Sequence, residues 1–265
     1  MIACLEPVRE ASTRLLRKGA LVSETYQILA GWDPRKSVRE NLDMVGQSNS
    51  IGATNAAWLR EITVTLSSRF RSNDMAEPLA VLAKAKMRIS EWRWFLLWRI
   101  QTTDLFFRHF VLEWLFPHFE KGSNNMRSEQ VAPFFRNMAR DIGAKHKEIS
   151  DYGVIRGGRD LLRMASEFGL VEGKASKNFA PAHVPESAFL WALHDLYSRT
   201  PNALKVIHDP SWRLFLLSPA AVEREILDLH QFQKLDYQTA GSLSQLKLPF
   251  ADSMSYLRSI LSQIP

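Results

Sequence analysis

Between about Leu79 and Phe116 the chain is apolar nearly all round. The stretch WRWFLLWRIQTTDLFFRHFVLEWLFPHF (92–119) crowds Trp92, Trp94, Trp98 and Trp114 among phenylalanines and leucines. A helix with that pattern has no side to give to water, so it predicts a central element covered by its neighbours. The aromatic rings are then core, because each removes a large apolar area from solvent, and a base-stacking platform is the lesser reading. Arg93, Arg99, Asp104, Arg108 and Glu113 interrupt the run. A bilayer span takes roughly 20 mostly apolar residues, so no membrane crossing is expected. Asp104 and Arg108 stand at i, i+4 and predict a local ion pair. Pro117 is expected to end the helical stretch, and FEKGSNNMRS (119–128) reads as a linker. The boundary divides a helical domain with an aromatic-rich core, residues 1–120, from a winged helix-turn-helix-like domain, residues 121–265.

A central apolar helix needs a cover, and the remaining punctuation favours helices for it. The 265 residues contain 12 Gly and 12 Pro, and closely spaced Gly/Asn/Asp turn pairs are scarce, which argues against a many-stranded sandwich or barrel. The expected class is mainly α. Asp33-Pro34, Asp209-Pro210 and Ser218-Pro219 each place a capping oxygen before a proline suited to the first helical position, so each predicts a helix start. After Ser218, AAVEREILDLHQF gives one apolar face through Val222, Ile226 and Leu229. VPESAFLWALHDLYSRT predicts an amphipathic helix with Phe189, Leu193 and Leu196 inside. Two stretches read as extended: GLVEGKASKNFAPAHVP after a helix at 156–168, and KLDYQTAGSLSQLKLP, a small hairpin around Ala240-Gly241-Ser242. Helix then hairpin thus occurs twice.

The chemistry-bearing residue types are sparse. One cysteine, Cys4, makes neither an intrachain disulfide nor a zinc site by itself and suits a reducing interior. Glu6 and Glu10 stand where a secretory leader would be apolar, so the start reads as mature, cytoplasmic sequence. Phosphate-loop, dinucleotide, nucleophile-elbow and HExxH patterns do not occur. The seven histidines are scattered, and Glu223 and Glu225, at i, i+2, point to different helix faces. Neither catalytic residues nor a metal nor a cofactor is expected.

What remains is charge. The formal net charge of +6 divides unevenly: residues 1–100 hold 15 Lys+Arg against 10 Asp+Glu, and residues 121–178 hold 11 against 7. Within the second block lies RGGRDLLRMASEFGLVEG (156–173). A helix over 158–168 buries Leu161, Ala165 and Phe168, ends at Gly169 in the left-handed conformation, and packs Leu170 back. Arg156, Arg159 and Arg163 then share one exposed stripe near its start. Lys145, His146 and Lys147 precede it, and Lys174 and Lys177 follow in a wing. Arginines on such a helix beside a basic loop are how winged modules hold the phosphates of double-stranded DNA. Gly157 and Gly158 would admit a close backbone, and the helix dipole favours an anion. The competing reading is a solvated face, with Asp160 and Glu167 partly neutralising the stripe.

The chain also resembles the BrxA-type family of bacterial BREX phage-defence systems. The resemblance rests on LVSETYQIL, RENLDMVGQSNS, LLWRIQTTDLFFRHFVLEWLFPHFEKG, GGRDLLRMASEFGLVEG and DPSWRLFLLSPAAVEREILDLHQFQKLDYQTAGSLSQLKLP, which together cover most of residues 20–250. It implies a cytoplasmic, mainly helical, non-enzymatic accessory protein, likened to the NusB antitermination fold, that binds DNA through helix-turn-helix-like parts and meets other defence-system proteins. It carries no contact residues over position by position. A protein-interaction scaffold and a NusB-like RNA binder stand as the alternatives.

Overall fold

The computed structural model describes residues 13–142, 149–181, 183–240 and 243–263. It is predominantly helical, with two small antiparallel hairpins. An N-terminal layer comprises α1 (Thr13–Lys18), α2 (Val22–Ala30), α3 (Val38–Ser48), α4 (Ala56–Arg69) and α5 (Asn73–Lys84). The expected start at Asp33-Pro34 is a turn instead: the Asp33 carboxylate accepts from the Arg35 amide at 3.0 Å. The helix begins four residues later, where Ser37 and Glu40 close a capping box. Two orphan amides satisfied reciprocally outweigh one proline.

The apolar segment is central, as its pattern requires, but it is several helices rather than one. Lys86, at φ 59°, separates α5 from α6 (Ile89–Ile100), and α6 buries Trp92, Trp94, Phe95, Leu96, Leu97, Trp98 and Ile100. A second break precedes α7 (Leu105–His109) because Asp104 turns inward. Its carboxylate meets the buried Arg69 guanidinium, with Nη2 at 2.8 Å and Nε at 3.0 Å from Oδ2. The other guanidinium donors reach the carbonyls of Gly19 (2.6 Å) and Ala20 (2.7 Å), which ties α4, α7 and the end of α1 together. The expected Asp104–Arg108 pair is therefore not made. A buried guanidinium needs its countercharge more than an exposed i, i+4 neighbour does.

The helix continues past Pro117, contrary to expectation. A π-helical turn at Phe110–Leu115 leads into α8 (Phe116–Glu120). A proline within a regular helix lacks a donor and collides with the preceding turn; a widened turn upstream relieves both.

Two helix-and-hairpin units follow. In the first, α9 (Ser128–Ile142) packs on α10 (Asp151–Glu167), and α10 leads into β1 (Val171–Glu172) and β2 (Asn178–Phe179). Met126, just before α9, pairs with Lys177 through two 2.8 Å backbone bonds, so the chain entering the unit runs against its wing. In the second, α11 (Glu186–Arg199), α12 (Ala203–Ile207), a 3-10 helix (Pro210–Phe215) and α13 (Pro219–Gln231) precede β3 (Asp236–Ala240) and β4 (Leu243–Lys247). Asp209 and Ser218 cap their helices as read from the sequence, and Val222, Ile226 and Leu229 are buried. The hairpin turn expected at Ala240-Gly241-Ser242 lies partly outside the described residues. α11 is buried nearly all round rather than amphipathic, because α6, α12 and α14 (Ser253–Ile260) surround it. One continuous buried cluster runs from Leu16 to Leu257.

Candidate nucleic-acid interface

Helix α10 starts earlier than its sequence suggested. Ser150 caps it, accepting from the Gly153 amide at 3.2 Å, so Arg156 lies in the second turn and not at the helix end. The helix dipole therefore does little for a phosphate beside Arg156, since its field acts within the first turn. That first turn carries Asp151, which is paired with Arg136 of α9. Gly157 and Gly158 do not face outward either. Both are buried against α9: a Cβ at Gly157 would stand 2.1 Å from the Phe135 ring, and one at Gly158 would stand 2.7 Å from the Ser128 carbonyl. They let two helices approach, not a ligand. The other end follows the sequence: Gly169 has φ 74°, its amide and that of Leu170 bond back to Ser166 and Ala165, and Leu161, Ala165, Phe168 and Leu170 are buried.

The three arginines do share one exposed face, and two of them, Arg156 and Arg163, share a carboxylate. Asp160 is buried between them. Arg163 Nη2 lies 3.3 Å from its Oδ1, and Arg156 Nε lies 3.9 Å from its Oδ2, which has no hydrogen-bond partner among the described residues. Burial pushes the Asp160 carboxyl up from its ordinary value against the pull of Arg163, Arg156, Arg159 and Arg17. Glu167 is engaged on the other side, accepting from the Ala20 amide and lying 3.6 Å from Arg163 Nε. Arg163 also donates to the Arg17 carbonyl at 2.9 Å. It is thus the most tethered of the three. The side chains of Arg156 and Arg163 remain 49% and 44% exposed, and Arg159 is exposed.

Arg17, in the last turn of α1, is an addition that no local pattern contained. Packing of α1 on α10 brings it, from 143 positions away, to the cleft that Arg156 and Asp160 line, close enough to pull on the same carboxylate. The guanidinium groups of Arg163 and Arg156 therefore contact one buried carboxylate, Arg159 and Arg17 pull on it electrostatically, Glu167 lies beside Arg163, and the face keeps an excess of positive charge. Tyr152, one turn before Arg156 on α10, is prominently exposed. In the wing, Lys174 is exposed, whereas Lys177 folds back with its ammonium on the Gly173 carbonyl and near Ser166 Oγ (3.4 Å). Lys145, His146 and Lys147 lie outside the described residues.

Among the described residues, no group of three or more His, Cys, Asp or Glu is gathered to hold a metal ion. No described helix is long and apolar enough to cross a membrane. Comparison with known families matches the BrxA model to residues 10–193. The match spans the N-terminal layer, the central helices and the whole first helix-and-hairpin unit, and ends within α11. No curated protein matches the chain.

Proposed function

Since the chain belongs to the BrxA family, we propose that it serves as a non-enzymatic accessory protein of a BREX-like phage-defence system and holds double-stranded DNA by its phosphate backbone. The observation that carries this reading is the gathering of Arg156, Arg159, Arg163 and Arg17 on one face beside a wing. Lys174 is exposed in the wing, and Lys177, Lys145 and Lys147 are the further lysines offered to phosphate, the last two outside the described residues. Backbone contacts of this kind position a duplex without reading its sequence. Their affinity is expected at a dissociation constant on the order of 10⁻⁴–10⁻⁶ M at physiological salt, falling steeply as salt rises.

The test is a titration of a short duplex by fluorescence anisotropy at several salt concentrations. Each phosphate contact contributes about 0.9 to the slope of log K against log salt. Replacing Arg156, Arg159 and Arg163 together by Gln should weaken binding and flatten that slope by about 2–3, while the all-Lys variant should keep most of it. Gln avoids placing new carboxylates beside Asp160 and Glu167, and a thermal melt controls for folding. An unchanged slope would leave the stripe idle. Structured RNA competing better than duplex would transfer the reading to RNA, whose A-form grooves and 2′-hydroxyls are different targets.

A second reading, a scaffold for partner subunits, is favoured by the other helix-and-hairpin unit. Helix α13 carries Glu223, Glu225 and Asp228 against Arg224 alone, and Phe232 just beyond it is 74% exposed. An acidic helix repels phosphate, and an exposed aromatic suits a protein contact. Co-purification of partner subunits without any duplex binding would decide for it.

A further inference from the structure

Helix α10 carries, in line with its arginines, an aromatic ring that phosphate contacts leave unused. Tyr152 is 72% exposed and makes no hydrogen bond or ring contact among the described residues. Tyr152, Arg156, Arg159 and Arg163 stand at i, i+4, i+7 and i+11 of the helix. At about 100° and 1.5 Å per residue, the four side chains fall within roughly 60° of arc and are strung along about 16 Å of one face. A lone exposed ring needs no explanation. A ring in register with three guanidinium groups is the combination by which nucleic-acid grooves hold an unpaired strand, cations for the phosphates and a π-face for the bases.

Beside this ring an open cleft of about 300 Å³ runs between α1 and α10. Leu16 and Arg17 line it from α1, Tyr152 and Arg156 from α10, and the Phe135 ring from α9. Leu16 and Phe135 are buried, whereas Arg17, Tyr152 and Arg156 are exposed. The depth of the cleft is therefore apolar, and its rim carries two guanidinium groups and a phenol ring. Asp160 also borders it, but its carboxylate is buried and lies against Arg156 and Arg163. An intact duplex keeps its bases stacked and paired, out of reach of a ring on a protein surface. Only an unpaired nucleotide can offer that ring a face.

We propose that Tyr152 makes this interface a site for duplex DNA that carries unpaired nucleotides, as at a frayed end, a flap or an overhang. One unpaired base stacks on the Tyr152 ring at the mouth of the cleft. Arg156 and Arg17 hold the phosphates flanking it, and Arg159 and Arg163 keep the adjoining duplex backbone. This role rests on the stripe being a phosphate-binding face, as proposed above, and adds to it a ring that senses whether the strand is paired. Every base has a π-face, so stacking discriminates little among the four.

Three DNA probes, titrated with the full chain and followed by fluorescence anisotropy, test this: a blunt duplex, the same duplex with a short single-stranded overhang, and that overhang built from abasic nucleotides. The two overhangs carry equal phosphate charge and differ only in their bases. The overhang with bases should bind about tenfold more tightly than the abasic one, within what one stacked base contributes. Tyr152→Ala should erase that difference and leave the blunt-duplex affinity and its salt slope unchanged. Tyr152→Phe, which loses the hydroxyl but keeps the ring, should preserve it. Tyr152 is exposed, so neither change should shift the melting temperature. Equal binding of the two overhangs overturns the proposal. So does a Tyr152→Phe variant that behaves like Tyr152→Ala, since the hydroxyl would then be acting on a phosphate. In both cases salt-dependent binding of the blunt duplex would leave the arginine reading standing. If none of the three probes binds, the arginine reading fails and this role falls with it.

Discussion

In the first helix-and-hairpin unit α9 and α10 meet through glycine, whereas in the second the elements are held apart and filled by rings. Gly157 and Gly158 leave no room for a Cβ between α10 and α9. In the second unit Trp212 stacks on Phe189 at 4.8 Å, lies 5.5 Å from Trp98 of the central helix, and donates its indole N–H to the Val206 carbonyl at 2.7 Å. Phe215 meets both Trp94 and Trp98. The exposed faces differ as well. Residues 121–178 carry the positive excess, while residues 179–265 hold 7 Lys+Arg against 8 Asp+Glu. One order of elements thus supports two kinds of packing and two kinds of surface, and likeness of topology says little about which partner each unit meets.

The contrast is broken most forcefully by Trp212→Ala. Losing a buried indole with its hydrogen bond should cost about 3–5 kcal/mol in denaturant unfolding, and the loss should loosen α11 and the 3-10 helix before α10 in hydrogen exchange. Uniform loosening would mean that the two units do not differ in how they are held. Next comes Gly157→Val. Phe135 is pinned by Phe106, with ring centroids 5.5 Å apart, and cannot swing away freely. Overpacking here should therefore cost about 1–3 kcal/mol, measured the same way. A neutral or stabilised variant would show that the helices do not depend on close approach. The smallest effect belongs to the caps. Ser150→Ala and Ser218→Ala should each cost about 1 kcal/mol, by equal shifts in denaturation midpoint. A silent Ser150→Ala would mean that the extra turn of α10 before Arg156 is held by other contacts.

What was legible in the sequence was local. The Gly169-Leu170 helix ending, the Ser218 and Asp209 starts, the apolar faces of α10 and α13, and the two hairpins each need only a few consecutive residues. The errors were made by partners far away in the chain. Asp104 reads as a mate for Arg108 until Arg69 arrives from α4, and α11 reads as amphipathic until α14 covers its polar-looking side. The paired glycines of α10 are the instructive case. A glycine marks any close approach of backbone, and only the fold says whether the approaching body is DNA or Phe135. For the candidate interface, the exposed arginine face was visible from spacing alone. Arg17 was not, and neither was the extent to which Asp160, Glu167 and the end of α1 tether Arg163.

The π-helical turn at Phe110–Leu115 has a consequence for how the second unit is seated. Each residue of an α-helix advances about 100° around its axis, so a turn that takes in one residue more delays every later side chain by that angle. The delay lets the Leu112 carbonyl accept from Arg213 Nη1 at 3.2 Å and puts the Phe116 ring 5.2 Å from the same guanidinium. Removing one residue from this turn would yield a more regular rod whose far end faces the wrong compass bearing. The cationic hook of the 3-10 helix would then close on nothing.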